Sequence, residues 1–267
     1  MDSSGRAAWA AVAVEEISVA GNPVVLDVLQ TVVSALAGQT GRAALDIVDA
    51  GGGTGGFAVP LASLGHHVTV VDPSPDSLAA AQRRAAEQHV PLRAVQGDAA
   101  DLALVAGKQS ADLVLCHSVL EYVDSPPAAM AAIAAVLRPG GAVSVLTASA
   151  VAAVIHRALA GRFDESRRLL SGLGSAASAD GSVPAAEGHG QPGPRRFTLA
   201  GVTALIEEAG LRPGPALGVR VFADLVPRVV ADADPGTAKA LHELELAAAV
   251  HPAFHDFAAQ VHVLGYR

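Results

Sequence analysis

Large rings are scarce in this chain: aromatic residues make up only 3% of its 267 positions, although hydrophobic residues reach 51%. A core of aromatic plates is therefore excluded, and Ala, Val and Leu must fill the interior. The single cysteine, Cys116, rules out an internal disulfide framework and any multi-cysteine zinc site. No apolar run reaches the ~18 residues that a membrane-spanning helix needs. The longest candidate, Ala142 to Ile155, is interrupted by Ser144, Thr147 and Ser149. The apolar stretch Ala7 to Val14 is short and runs into Glu15-Glu16, a poor fit to a secretory signal. These absences predict a cytoplasmic protein without a membrane partner. The ten histidines show no metal-ligand spacing on a clear helix, so no metal is expected.

Lysine is nearly missing too, with two against sixteen arginines. The net charge of −8 does not advertise nucleic-acid binding. It is unevenly spread: residues 157–228 hold nine arginines against seven acids, whereas the rest of the chain carries a net −10. Two readings stay open, a composition rich in arginine or a basic face for an anionic substrate.

What is present is a glycine turn between a strand and a helix. The apolar run Ala43 to Val48 leads into Asp49-Ala50-Gly51-Gly52-Gly53-Thr54-Gly55-Gly56, and a helical pattern follows from Gly55 to Leu64. Such a turn lets a ligand approach backbone N–H groups closely. A second strand, Val68 to Asp72, ends in an acid suited to a ribose diol. Gly51, Gly53 and Gly56 also match the dinucleotide fingerprint. Asp49 argues against that reading, because a carboxylate beside the loop repels a pyrophosphate. It suits a cofactor carrying an ammonium and a sulfonium and no phosphate, which describes S-adenosylmethionine.

Alternation continues through a helix over Ser74–Gln88, a strand over Leu92–Gln96, a strand over Ala111–Cys116, a helix over Pro126–Leu137 and a strand over Ala142–Thr147. Alternating units of this length predict an α/β fold, Rossmann-like and doubly wound. The expected sheet is mostly parallel and seven-stranded, with helices on both faces and an inserted cap or loop region. Asp49, Asp72, Asp98 and His117 all fall at carboxyl ends of strands, where such sheets bind ligands. Beyond a helix over Ala150–Ala160, the Gly-, Ala-, Ser- and Pro-rich stretch Ser171–Pro194 reads as a mobile loop. A helix over Leu199–Ala209, a strand over Leu217–Ala223, a helix over Thr237–Ala249 and a last strand over Gln260–Tyr266 complete the prediction.

Val48 to Gly55 resembles motif I of class I S-adenosylmethionine-dependent methyltransferases. The segments Val71-Asp72-Pro73-Ser74, Gly97-Asp98-Ala99, Asp112-Leu113-Val114 and Leu137 to Gly141 follow in that family's order. His117 to Val123, Gly161 to Asp164, Gly218 to Asp224, Leu244-Glu245 and Val261-His262-Val263 further resemble bacterial tRNA 5-carboxymethoxyuridine methyltransferases. The resemblance implies S-adenosylmethionine as cofactor, S-adenosylhomocysteine as product, and methylation of a carboxylate on a wobble uridine. The expected cofactor-binding residues are Asp49, Gly51, Gly52, Gly53, Thr54, Asp72, Pro73, Ser74, Asp98, Ala99, Ala100, Cys116 and His117. Where that group has a lysine-rich stretch before its substrate helix, this chain has only Arg195-Arg196.

A carboxylate acceptor is already ionised near neutral pH and needs a cation rather than a base. Arg220 is the first choice to hold it, with Arg195 and Arg196 next and Tyr122 facing the substrate. The competing reading of Arg220 is an ion pair with Asp224 or Glu245. A hydroxyl or amine acceptor would instead require a base, for which His117 and His262 are the candidates. The predicted units are an N-terminal lid or cap over 1–42, a cofactor-binding core over 43–150, a cap helix, loop and substrate-side helix over 151–212, and closing strands and helix over 213–267. The expected partner is a small acidic metabolite or tRNA, and the alternative is a small-molecule or natural-product O- or N-methyltransferase. Either a monomer or a homodimer suits the sequence.

Overall fold

The computed structural model describes residues 22–174, 182–188, 191–231 and 234–267. The expectation for the first 21 residues lies outside them. The described elements start with α1 (Pro23–Thr40) and then alternate: β1 (Asp46–Ala50), α2 (Ala58–Ser63), β2 (His67–Asp72), α3 (Pro75–Glu87), β3 (Arg93–Gln96), α4 (Leu102–Val105) and β4 (Ala111–His117). It continues with α5 (Pro126–Val136), β5 (Leu137–Ala148), α6 (Ala150–Leu159), α7 (Phe163–Gly174), the hairpin β6 (Ser182–Gly188) and β7 (Gln191–Phe197), and α8 (Leu199–Glu208). The closing elements are β8 (Arg212–Val219), α9 (Arg228–Ala231), α10 (Pro235–Ala249), α11 (Pro252–His255) and β9 (Gln260–Tyr266).

Capping chemistry starts several of these helices. Asn22, Ser74, Ser125 and Asp234 each accept a backbone N–H of the first turn, and a proline follows each at the position where no N–H is needed. Seven strands form one sheet in the order β3-β2-β1-β4-β5-β9-β8. β1 through β5 pair in parallel, and β9 runs antiparallel to both β5 and β8. The strand order reverses at β1, so the crevice beyond β1 and β4 is the natural ligand position.

Side-chain alternation divides the interior into two faces. Val48, Ala50, Val114, Cys116, Val143 and Val263 share a core with Met130 and Ile133 of α5 and Leu205 of α8. Ile47, Leu113, Leu115, Leu146 and Leu264 face the other way, against Val25, Leu29, Val33 and Leu36 of α1 and Leu61 of α2. Strands buried on both faces read as continuous Val/Leu runs, as this sequence does. Among the described residues, no helix is long and apolar enough to cross a membrane.

Several boundaries differ from expectation: the strand expected over Ala142–Thr147 begins at Leu137, and three other differences bear on the site. Residues within Ser171–Pro194 extend α7 to Gly174 and then build the β6–β7 hairpin, not a continuous loop. Short strands of Gly, Ala and Pro carry no alternating apolar signature, which hid them. The strand expected over Leu217–Ala223 begins earlier, at Arg212, and stops at Val219. Its apolar continuation, Val221-Phe222-Ala223, hands its backbone N–H groups to the Glu245 carboxylate instead of a neighbouring strand. The helix expected from Gly55 is shortened to Ala58–Ser63, because Gly51, Gly53 and Gly55 all take positive φ, at 67°, 54° and 78°.

Candidate active site

The glycine turn is held from both sides. The Gly51 N–H donates to Val71 O at 2.7 Å. A Cβ at Gly51 would lie 2.4 Å from Val119 Cγ2, and one at Gly52 would lie 2.6 Å from Asp49 Cγ, so neither position has room for a side chain. Asp72, at the end of β2, accepts the Gly53 N–H on Oδ2 and the Ser74 N–H on Oδ1, both at 2.9 Å. Asp98 accepts the Ala100 N–H at 2.9 Å and starts a short 3₁₀ turn over Ala99–Asp101. Gln96 donates to Pro73 O at 3.1 Å, which ties the ends of β2 and β3 together.

Asp49 is 2% exposed, and its Oδ2 has no hydrogen-bond partner among the described residues. Burial first, and the neighbouring Asp72 charge second, push its carboxyl up to about 7. A buried carboxylate oxygen without a donor, beside an open backbone turn, fits a cationic ligand.

A cavity of about 650 Å³ opens beside this turn. Asp49, Gly51, Gly52, His117 and Arg220, all expected from the sequence, stand in its wall. The sequence reading missed Asn22 at the start of α1, Phe57, Ser118, Leu146 and Gln260. It also missed most of one face of α10, where Ala238, Leu241, His242 and Glu245 line the cavity at helical spacing. That spacing was the available signal, but nothing local in the sequence says which element the face meets.

Other predicted residues fall elsewhere. Gly53, Asp72 and Ser74 are joined to one another by the bonds above but do not line the cavity, and neither do Pro73, Asp98, Ala99 and Ala100, which follow along the strand ends. Thr54 is exposed. Cys116 is fully buried in the core of the opposite sheet face, where burial raises its thiol strongly, so its side chain does not face the cavity. Arg195 donates to the carbonyls of Val123 and Asp124, and its N–H donates to Glu121 O at 3.0 Å. It therefore clasps β7 to the loop after β4. Arg196 is half-buried beside Arg157 and Glu121, with burial and then Arg157 lowering its pKa. Tyr122 is 72% exposed.

Arg220 sits in the left-handed region, at φ 60°, and pairs with Asp224. The ion pair expected under the competing reading of Arg220 is present, with Asp224 rather than Glu245 as its partner. Asp224 takes the side chain, while Glu245 takes the backbone N–H groups of the next three residues. Among the described residues, no group of three or more His, Cys, Asp or Glu side chains is placed to hold a metal ion.

Comparison with known proteins agrees with this geometry. The chain is 30% identical over 196 residues to the tRNA 5-carboxymethoxyuridine methyltransferase of Escherichia coli K12, covering 70% of this chain and 67% of that protein. The chain belongs to the S-adenosylmethionine-dependent methyltransferases. A family described as a methyltransferase domain matches residues 48–145. A ubiquinone biosynthesis O-methyltransferase of Methylobacterium nodulans is 39% identical over 98 residues, covering 37% of this chain and 39% of that one. The fold is shared with a methyltransferase from Methanosarcina mazei at TM-score 0.56 and 14% identity, covering 84% of this chain and 93% of that chain. It is also shared with the magnesium protoporphyrin IX methyltransferase of Synechocystis at TM-score 0.55 and 15% identity, covering 91% and 84%. The methyltransferase cofactor, S-adenosylmethionine, suits the unpartnered carboxylate at Asp49 and the turn beside it.

Proposed function

We propose that this methyltransferase acts on a carboxylate or other acidic group, carried by a small metabolite or by a modified wobble uridine of tRNA. The observation that carries this reading is Arg220, a half-exposed guanidinium in the wall of the cavity that also contains Asp49. When bound, the cofactor supplies an electrophilic methyl group on a sulfonium. Asp49 and the 51–53 turn would hold its amino-acid end, and Asp72 its ribose. Arg220 orients the acid by charge-assisted hydrogen bonds. An ionised acid needs no proton removed, so orientation and exclusion of water by Phe57, Leu146 and Leu241 make up the rest of the contribution. Likeness to the tRNA enzyme supports the uridine branch.

The net charge of −8 favours the second reading, a small-molecule or natural-product O- or N-methyltransferase, because RNA phosphates call for a broad basic face. Incubation with methyl-labelled S-adenosylmethionine, with bulk tRNA in one arm and a panel of small carboxylic acids in the other, tests both. A base-labile label, as expected of a methyl ester, supports the acidic acceptor. Label found only as base-stable ether or amine would overturn it.

A further inference from the structure

Ser118 and Arg220 hold a backbone conformation that favours glycine. Among the described residues, the non-glycines with positive φ are His89, Gln109, Ser118 and Arg220. His89 follows the end of α3, with its N–H on Ala86 O at 3.1 Å, and Gln109 sits in the turn that leads into β4. Left-handed residues are routine in both settings. Ser118, at φ 55°, and Arg220, at φ 60°, instead both line the cavity. Backbone strain gathered in the wall of a ligand cavity points to a use there.

Register gives their places in that wall. Ser118 follows the last residue of β4, and its N–H donates to Leu146 O on β5 at 2.8 Å. Gln260 on β9 pairs with Ala148 on β5 and with Val219, the last residue of β8, and Arg220 comes next. The wall therefore runs across one edge of the sheet from Asp49 on β1, through Ser118, Leu146 and Gln260, to Arg220. Ser118 stands one strand from Asp49 and three from Arg220, about 5 Å and about 14 Å at the usual strand spacing. The fold makes no other use of its hydroxyl: Ser118 is exposed, and its Oγ has no hydrogen bond among the described residues. Val119, by contrast, is committed, since its Cγ2 fills the space where Gly51 lacks a Cβ. Glycine at 118 would adopt the same φ without strain, so the serine side chain is carried at a cost to folding.

We propose that Ser118 is a catalytic residue whose hydroxyl donates a hydrogen bond to the reacting group of the methyl acceptor, between the cofactor and Arg220. A carboxylate has two oxygens, and this places one on the guanidinium and the other on the hydroxyl. A serine O–H directs an oxygen lone pair and keeps its own proton, so the nucleophile stays ionised. A positive charge in its place would sit one strand from Asp49 and repel a cationic cofactor. Serine is also short enough to leave the cavity open at its middle. The assignment rests on the reading that the acceptor is acidic and held by Arg220, whereas the strain at residue 118 does not.

Two variants of the full chain separate the hydroxyl from the strain. Ser118→Ala removes Oγ and keeps the Cβ, while Ser118→Gly removes both. Ser118→Gly is expected to unfold at a urea concentration equal to or above that of Ser118→Ala, and a lower midpoint would overturn the argument from strain. Both variants are expected to bind S-adenosylhomocysteine as wild type does in calorimetry. Affinity weakened tenfold would give the hydroxyl to the cofactor and overturn the proposal. With the acceptor that takes label from the tRNA or carboxylic-acid arm above, both variants are expected to lower kcat/KM tenfold or more, and an unchanged kcat/KM would refute the contact. Label in base-stable form sinks the acidic reading, and the donor role assigned here with it, while the urea midpoints still decide the strain. Should neither arm take label, a crystal structure of the S-adenosylhomocysteine complex decides. Ser118 Oγ left open toward Arg220, beyond hydrogen-bond distance of every ligand atom, upholds the proposal, and Oγ bonded to the ligand overturns it.

Discussion

Glu245 grips the chain one residue past Arg220: its Oε2 accepts the Val221 N–H at 2.9 Å, and its Oε1 accepts the N–H groups of Phe222 and Ala223 at 2.8 and 2.6 Å. Arg220 itself occupies positive φ, which costs a non-glycine residue roughly 1 kcal/mol. The buried carboxylate stabilises that turn and so sets where the guanidinium stands. Glu245→Ala leaves three N–H groups without an acceptor and is expected to destabilise the fold by about 3 kcal/mol, read by urea unfolding. Turnover should fall in the same variant at temperatures where it remains folded.

Arg220→Ala is expected to leave S-adenosylmethionine affinity unchanged and to lower kcat/KM for the acidic acceptor by about 10- to 100-fold, the worth of a charge-assisted contact. Calorimetry with the cofactor and steady-state kinetics separate these two effects. Loss of folding would return Arg220 to a purely structural partner of Asp224.

Asp49 gives a pH signature. With its carboxyl at about 7, the fraction ionised falls below that pH, and affinity for a cationic cofactor is expected to fall with it, by up to about tenfold per unit. The folding sign follows from the same group. A carboxyl raised from about 3.9 in the unfolded chain contributes stability that is present at low pH and lost as pH rises through about 7. Asp49→Asn should flatten both slopes, which titrations of binding and of unfolding across this range will show.

At the opposite end of the strands, Asp112 is 4% exposed and accepts from Arg42 at 2.7 Å, from Arg138 at 2.9 Å and from the Asp46 N–H at 2.8 Å. Removing this charge leaves Asp46 as the one carboxylate that the two guanidinium groups share, at 2.8 Å from Arg42 and 2.9 Å from Arg138. Asp112→Asn is expected to cost about 3 kcal/mol in unfolding experiments while leaving kcat and KM unchanged, since nothing in this cluster lines the cavity.

The sheet and its ligand edge were legible because the information is local. Asp49, Asp72 and His117 each follow an apolar run that reads as a buried strand, Asp98 follows the glycine after the edge strand β3, and the glycines between Asp49 and Phe57 announce the turn. What stayed hidden depends on distant partners. Val221 to Ala223 has the composition of a strand, and only the position of Glu245 on α10 decides otherwise. Arg195 and Arg196 are chemically alike and adjacent, yet one clasps backbone carbonyls and the other stands beside Glu121. Ser144 reads as a mere interruption of an apolar run until two histidines from other strands meet it.

The place of β9 sets an order of events during synthesis. Among the described residues it is the last strand in sequence, yet it lies between β5 and β8, inside the sheet. Until it leaves the ribosome, β5 keeps a bare edge of amide and carbonyl groups, and β8 has no strand to pair with. The nascent protein therefore passes through a stage with an open flank beside β5, a form open to chaperone capture. His262 arrives on that same strand, so its contact with Ser144 Oγ on β5 forms only after β9 has been made.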